Sequence, residues 1–252
     1  MTLASTFPGD LQIGRPLDGH LRMLLPAGRF GTGRSSNTRK HEGVDLLADP
    51  GANVYPVLDG VVLETGRIGG SPDNQRIVVQ HHVGESAIIT RYLHLRSVNV
   101  AAGQFVDVGA TVLGEVGPTP TAGSTTHHLH FEIRHVLNHA IQASGHKRSS
   151  LPVDPTPFLF ELDELHHGLH DTKGPAKITE LAMMRTRELE FLRVHWLDGS
   201  YYLPLFGRRA YERELTELLR CAFLRQYEVR VASRTSSLLD DLRVITGARV
   251  LV

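Results

Sequence analysis

From about residue 40 to residue 135 the chain is a series of short apolar runs broken by glycine. GVDLLA (43–48), NVYPVLDGVVLETG (53–66), RIVVQHHV (76–83), SAIITRYLHL (86–95) and ATVLGEV (110–116) are rich in Val and Ile, with Gly, Asn and Asp between them. Runs of that length and composition predict antiparallel β-strands. No helical periodicity longer than a turn or two interrupts them. Residues 1–40, rich in Gly, Pro and Ser, are expected to wrap the sheet as irregular segments, and the proline-bearing LPVDPTPFLF (151–160) to end the domain.

After residue 160 the pattern changes. ELDELHHGLHDTKGPAK (161–177) is polar and turn-rich and reads as a linker. RELEFLRVHWLDGSYYLPL (187–205) alternates around Asp198-Gly199, a hairpin signal. Tyr211, Leu215, Leu218, Leu219, Ala222 and Phe223 follow the spacing of an amphipathic helix. YEVRVA (227–232), LRVIT (242–246) and ARVLV (248–252) read as strands. The expected fold class is therefore mainly β: an antiparallel sheet domain over 1–160, a linker over 161–177, and a small α+β module over 178–252.

Charge narrows the function classes. The 27 basic and 27 acidic residues cancel, so the basic excess that wholesale nucleic-acid binding requires is missing. No apolar stretch approaches the roughly 18 residues of a membrane span. MTLASTFPGDLQIGRPLDG lacks the basic start and apolar core of a signal peptide. Action outside the cytoplasm would then need delivery by a secretion system or phage, or a leader outside this sequence. The single cysteine, Cys221, excludes an intramolecular disulfide and a thiolate zinc site. Its apolar helical setting predicts a buried small hydrophobe. Fifteen histidines are the compositional oddity, and histidine is the commonest metal ligand.

Three stretches carry candidate chemistry: His41-Glu-Gly-Val-Asp45, Tyr92-Leu-His94-Leu95 and His128-Leu-His130-Phe131. Alternation along a strand puts His128 and His130 on one face. Two histidines and a carboxylate suit zinc and leave a coordination position for water, whose pKa falls from 15.7 to about 7 on the metal. A further histidine pair could move its proton and stabilise an oxyanion. His41-Glu42 does not begin a His-Glu-x-x-His helix motif, because residue 45 is Asp and Gly43 disfavours a helix.

In combination these stretches resemble a known family. HEGVDLLADPGANVYPVLDG (41–60), TRYLHLRSVNVAAGQFVDVGATVLGEVG (90–117) and THHLHFEIR (126–134) are similar, in order and spacing, to the signatures of the lysostaphin-type zinc endopeptidases of peptidoglycan, over about 25–160. The resemblance implies a compact antiparallel sheet under a narrow groove walled by loops. It implies His41, Asp45 and His130 as zinc ligands, His94 and His128 as catalytic residues beside the metal-bound water, and Tyr92 lining the groove. Gly51, Pro56 and Gly60 match positions that shape the sheet. The implied function is hydrolysis of amide bonds in the peptide stems or cross-links of bacterial peptidoglycan, in the periplasm or cell wall. An inactive scaffold that binds cell wall or activates an amidase is the alternative, although all five chemical positions are present. The same hydrolase could serve as an export-delivered antibacterial effector or a phage lysis protein.

The chain departs from the family pattern in GPTPTAGSTTHH (117–128), which bears on groove width, and in the longer segment 135–150. Latent members place an asparagine on the metal; Asn37 lies upstream of His41, but nothing around it marks it as such a plug. His81 and His82 are expected to face solvent and His127 to point away from the groove. His135, His139 and His146 fall in the added segment, and His166 and His170 in a solvated linker. The C-terminal module weakly resembles the small five-stranded barrels of toxin B-subunits, an OB-like fold. It carries no catalytic constellation, so binding or assembly is its expected role, with an immunity or delivery protein as a possible partner.

Overall fold

Valine- and isoleucine-rich runs bounded by glycine become strands at the expected places. The computed structural model describes residues 13–19, 21–24, 27–34, 38–83, 86–118, 126–136, 150–160, 171–186, 189–196, 199–205, 210–236 and 242–251. The chain divides into two units, Met1–Leu162 and Asp163–Val252.

In the first unit, β1 (Gly33–Arg34) and β2 (Arg39–Lys40) pair with each other. One antiparallel sheet holds β3 (Val44–Leu47), β4 (Asn53–Val54), β5 (Gly60–Ile68), β6 (Ser71–Val83), β7 (Ser86–Val98), β8 (Phe105–Val106), β9 (Gly114–Val116), β10 (His128–Val136) and β11 (Ser150–Val153). Its main path runs β11-β10-β7-β6-β5-β8. One edge of β10 pairs with β7; the other is shared by β3 over its first half and β11 over its second. The irregular N-terminal segment contributes Leu17, Leu21 and Met23 to the core, with single bridges from Leu17 to Val54 and from Met23 to Leu46. Beneath the sheet, Val44, Leu46, Ile77, Val79, Ile89, Leu129 and Phe131 are buried. Each such side chain contributes about 1.5–3 kcal/mol when removed from water.

His81 departs from expectation. It is fully buried, whereas His82 beside it is exposed. Its Nδ1 lies 3.0 Å from the carbonyl of Asp59 and its Nε2 2.7 Å from Thr90 Oγ1, so both ring nitrogens are satisfied inside the core. Alternation turns His81 inward because Val79, two residues before it, also points into the core. Burial pushes the His81 pKa down to about 4, against the opposing pull of the Asp59 and Leu58 carbonyls. The folded chain thus binds fewer protons at this site than the unfolded chain between pH 6.5 and pH 4. The stability contribution is complete above pH 6.5 and is lost as the pH falls to 4, by about 3 kcal/mol. Urea unfolding of metal-free protein at pH 7.5 and pH 4.5 should show this loss, and His81→Gln should lack that part of it. An equal pH dependence in the variant would refute the assignment.

In the second unit, β12 (Asp171–Thr186), β13 (Leu189–Trp196), β14 (Gly199–Leu205), the helix Ala210–Arg225, β15 (Glu228–Ser236) and β16 (Leu242–Leu251) form a barrel closed in the order β12-β13-β14-β16-β15. All pairings are antiparallel except that of β14 with β16. The interior holds Leu192, Val194, Trp196, Tyr201, Leu203, Val229, Val231 and Ile245, and Leu215, Leu219 and Ala222 of the helix pack against it. Trp196 Nε1 donates to the carbonyl of Ala176 at 3.0 Å, which removes the cost of burying an indole N–H.

Three expectations need correction here. Residues 171–177 are the start of β12, not linker. The pairing with β15 shifts register between Lys173 and Ala176, so Gly174-Pro175, which reads as a turn, forms a bulge within a strand. LRVIT and ARVLV are one strand, β16, because the β15 register shift between Ala232 and Ser233 absorbs Thr246 without a break. Cys221 is exposed, since it falls between the buried Leu219 and Ala222 on the outer side of the helix. Asn37, His139, His146, His166 and His170 lie outside the described residues, as do 119–125 and 137–149 of the two departing loops.

Candidate metal centre

β10 supplies the floor of the site. His128, His130, Glu132 and Arg134 share one of its faces, while Leu129 and Phe131 enter the core on the other. Asp45 on β3 is the direct cross-strand partner of His130. His41 lies four residues before Asp45, and its backbone is tied at both ends to the 28–32 segment, with N–H donating to the Thr32 carbonyl at 2.8 Å and C=O accepting from Gly31 N at 2.9 Å. Between them, Gly43 lets the chain approach β10 closely: a Cβ there would meet the Phe131 carbonyl oxygen at 2.3 Å. Gly43→Ala should therefore displace β3 from β10 and cost about 2–4 kcal/mol, read as a lowered denaturation midpoint and weakened metal retention. A variant as stable as the parent would contradict this reading of the contact.

His94 reaches the site by a different device. Gln75 pairs with Leu95 and Arg76 with Leu93, so His94 is the extra residue of a β-bulge in β7. Its backbone is left-handed, φ 67°, which is uncommon for a non-glycine residue. The bulge puts Leu93 and His94 on the upper side and returns Leu95 to the core. Tyr92 is consequently not a groove residue. It is fully buried, packs on Phe131 at a centroid distance of 5.4 Å, and its hydroxyl accepts from Val57 N at 3.1 Å and lies 3.2 Å from Thr90 Oγ1.

His41, Asp45 and His130 come together as a buried group that could hold a metal ion, with their ligand atoms within 4.8 Å of one another. His41 Nε2 is 2.8 Å from His130 Nδ1 and 3.1 Å from Asp45 Oδ1, and His130 Nδ1 is 2.9 Å from the same oxygen. Tetrahedral zinc spaces its ligand atoms by about 3.4 Å, so small side-chain shifts suffice. His128 Nε2 lies 3.7 Å from Asp45 Oδ1, and the His94 ring is 5.0 Å from that of His128 and 6.0 Å from that of His130.

The outer nitrogens decide which lone pairs face the centre. His41 Nδ1 lies 2.7 Å from the Arg29 carbonyl, His128 Nδ1 3.2 Å from the Thr126 carbonyl, His130 Nε2 3.1 Å from Glu132 Oε1 and His94 Nδ1 3.0 Å from Asn74 Oδ1. Each of these partners accepts, so each ring donates its outer N–H and turns a bare nitrogen inward. With the rings neutral, four lone pairs and the Asp45 carboxylate converge, an arrangement that suits a bound cation; without one, His130 and His41 share protons with Asp45 instead. The donor set of two imidazoles and one carboxylate fits zinc.

Charges in the cluster follow the same logic. Burial alone would raise the Asp45 pKa, but the hydrogen bonds from His130 and His41 outweigh it and hold the carboxyl far below the usual range. Burial also acts to lower His130, and its bonds to Asp45 and Glu132 reverse that, leaving it raised. His94 is pushed down to about 3 by burial first and by His128 and His130 next, so it is a neutral base at pH 7. His128 is likewise lowered, mainly by burial.

Several site residues escape sequence reasoning. Arg34 Nη2 donates to Asp45 Oδ2 at 2.7 Å, leaving Oδ1 to face the histidines. Asn74, buried on β6, holds His94. Glu132 binds His130 while Arg91 and Arg134 bind Glu132. Only Glu132 and Arg134 left a signal, since they continue the period-two alternation of HLHFEIR; Arg34 and Asn74 are brought in by the fold.

The fold and this cluster define a class, an antiparallel β-sheet domain carrying a histidine–carboxylate metal centre. Residues 39–147 match the family model of Peptidase family M23. The peptidoglycan DD-endopeptidase ShyB of Vibrio cholerae is 31% identical over 134 residues, covering 50% of this chain and 29% of the relative. The chain thus spans less than a third of that relative's length. Among solved structures, a zinc-containing peptidase from Vibrio cholerae is similar at 26% identity and a TM-score of 0.41, covering 57% of this chain and 39% of the other. The catalytic domain of lysostaphin from Staphylococcus simulans is similar at 27% identity and a TM-score of 0.39, covering 53% and 88%. Among the described residues, no helix is long and apolar enough to cross a membrane.

Proposed function

We propose that the N-terminal domain is a zinc-dependent endopeptidase that hydrolyses amide bonds in the peptide stems or cross-links of bacterial peptidoglycan. The observation that carries this is the convergence of His41, Asp45, His130, His94 and His128, each imidazole fixed through its outer nitrogen. The family match and the peptidoglycan endopeptidase relative support the substrate class. Zinc held by His41, Asp45 and His130 would polarise a carbonyl and lower the pKa of water. His94, neutral and with Nε2 turned inward, accepts the proton of the attacking water and passes it to the leaving amine. His128, on the same side and with its bare Nε2 also turned inward, is a second proton acceptor beside the attacking water. Arg34 fixes the Asp45 carboxylate, and Gly43 fixes the strand that bears it.

An inactive scaffold is the less supported reading, because the two non-ligand histidines are oriented as well as present. The substrate places the action in the periplasm or cell wall, whatever the route of delivery. The C-terminal barrel, with its order β12-β13-β14-β16-β15 and its helix between the third and fourth strands, supports an OB-like module for binding or assembly, with a delivery or immunity protein as the partner class. Metal analysis of purified protein, together with digestion of purified peptidoglycan and mass analysis of the fragments, tests the reading. The expected result is stoichiometric zinc and chelator-sensitive release of peptide-cleaved fragments. Intact peptidoglycan after incubation with zinc-loaded protein would sink it.

A further inference from the structure

Glu132 belongs neither to the group that could hold the metal nor to the pair that faces it, yet it is among the most enclosed charges of the domain. Its side chain is 3% exposed, as is that of Arg134, and that of Arg91 is 6% exposed. Glu132 Oε1 accepts from His130 Nε2 at 3.1 Å and from Arg91 Nη1, and Oε2 accepts from Arg134 Nη1 at 3.0 Å. Arg91 is its direct cross-strand partner on β7, and Arg134 lies two residues further along the same face of β10. Arg134 Nη1 also donates to Glu42 Oε2 at 3.0 Å, and its Nε and Nη2 are anchored on Ser150.

Burying three charges is costly unless geometry and pairing are complete. Arg91 and Arg134 would be satisfied by a carboxylate in many positions. Here the carboxylate also points one oxygen at the outer nitrogen of His130. The ring has two usable nitrogens, and whichever one carries the proton is useless as a ligand. His41 faces a neutral carbonyl on its outer side, whereas His130 faces a charged group that raises the basicity of the ring. The two arginines prevent that carboxylate from rotating away. Through Glu42, adjacent to His41, the same ladder links the two segments that bear the histidines.

We propose that Glu132 is a positioning residue for the metal centre: it holds the Nε2 proton of His130, so that Nδ1 is turned toward His41 Nε2 and Asp45 Oδ1. The proposal rests on the zinc reading given above. Two measurements on the full-length protein test it without substrate. In zinc-loaded wild-type protein with labelled histidines, nitrogen NMR should show the His130 proton on Nε2. A proton on Nδ1 overturns the proposal whatever any variant does. In competition with a chromophoric chelator, Glu132→Gln should bind zinc about 10–100-fold more weakly than wild type. Glu64→Gln, which removes a partly buried ion pair to Arg76 away from the site, should bind as wild type does. A role confined to pairing the arginines predicts a lowered melting temperature in Glu132→Gln but unchanged zinc affinity, and that outcome also overturns the proposal. If Glu132→Gln does not fold, the wild-type tautomer decides alone. Wild-type protein that binds zinc as described yet leaves peptidoglycan intact refutes the hydrolase reading, not the role of Glu132.

Discussion

His130→Ala is expected to abolish zinc retention and hydrolysis together. His130 is the hub of the cluster, with Nδ1 against Asp45 and His41 and Nε2 against Glu132. Removing the ring deletes one of three candidate ligands and leaves the Asp45 and Glu132 carboxylates facing an emptied, buried space. Three-ligand zinc sites do not survive the loss of a ligand with useful affinity, so cleavage should fall to the background of zinc-free protein. Stability of the metal-free fold should drop by about 2–4 kcal/mol, because the two buried acceptors lose their common partner. Elemental analysis, circular dichroism and a peptidoglycan digest measure all three. Stoichiometric zinc in a folded His130→Ala protein would remove His130 from the ligand set.

His94→Ala separates binding from chemistry. His94 touches the cluster from β7, and Asn74 holds its outer nitrogen. Zinc content should therefore stay at the wild-type level, while turnover should fall by about 10²–10⁴-fold, the usual contribution of a positioned acid–base group. The fold should persist, since the left-handed backbone at residue 94 is imposed by the bulge and alanine tolerates it at a cost of about 1 kcal/mol. Wild-type turnover in His94→Ala would show that its neutral, inward-facing imidazole takes no part in proton transfer.

The sequence by itself determined the strands of the first unit, since Val- and Ile-rich runs between glycines admit little else, and it determined which face of β10 carries His128 and His130. It also held the alternation that extends to Glu132 and Arg134, because side-chain direction along a regular strand depends only on parity. Parity is a local rule, and it fails where pairing inserts a residue. His94 and Tyr92 would share a face in a regular strand. Only the pairing of β7 with β6 makes His94 the extra residue, lifts it into the site and leaves Tyr92 in the core. Gly174-Pro175 reads as a linker for the same reason: a bulge and a turn use the same residue types, and the partner strand β15 decides between them. His81 was misleading because polarity argues for solvent, while the Asp59 carbonyl and the Thr90 hydroxyl that satisfy it lie far along the chain. Arg34 and Asn74 reach the site through contacts no spacing rule encodes. What the chain's local pattern could fix was the chemistry on offer and the face that bears it; the distances, the inward nitrogens and the groups holding them required the strands to be brought side by side.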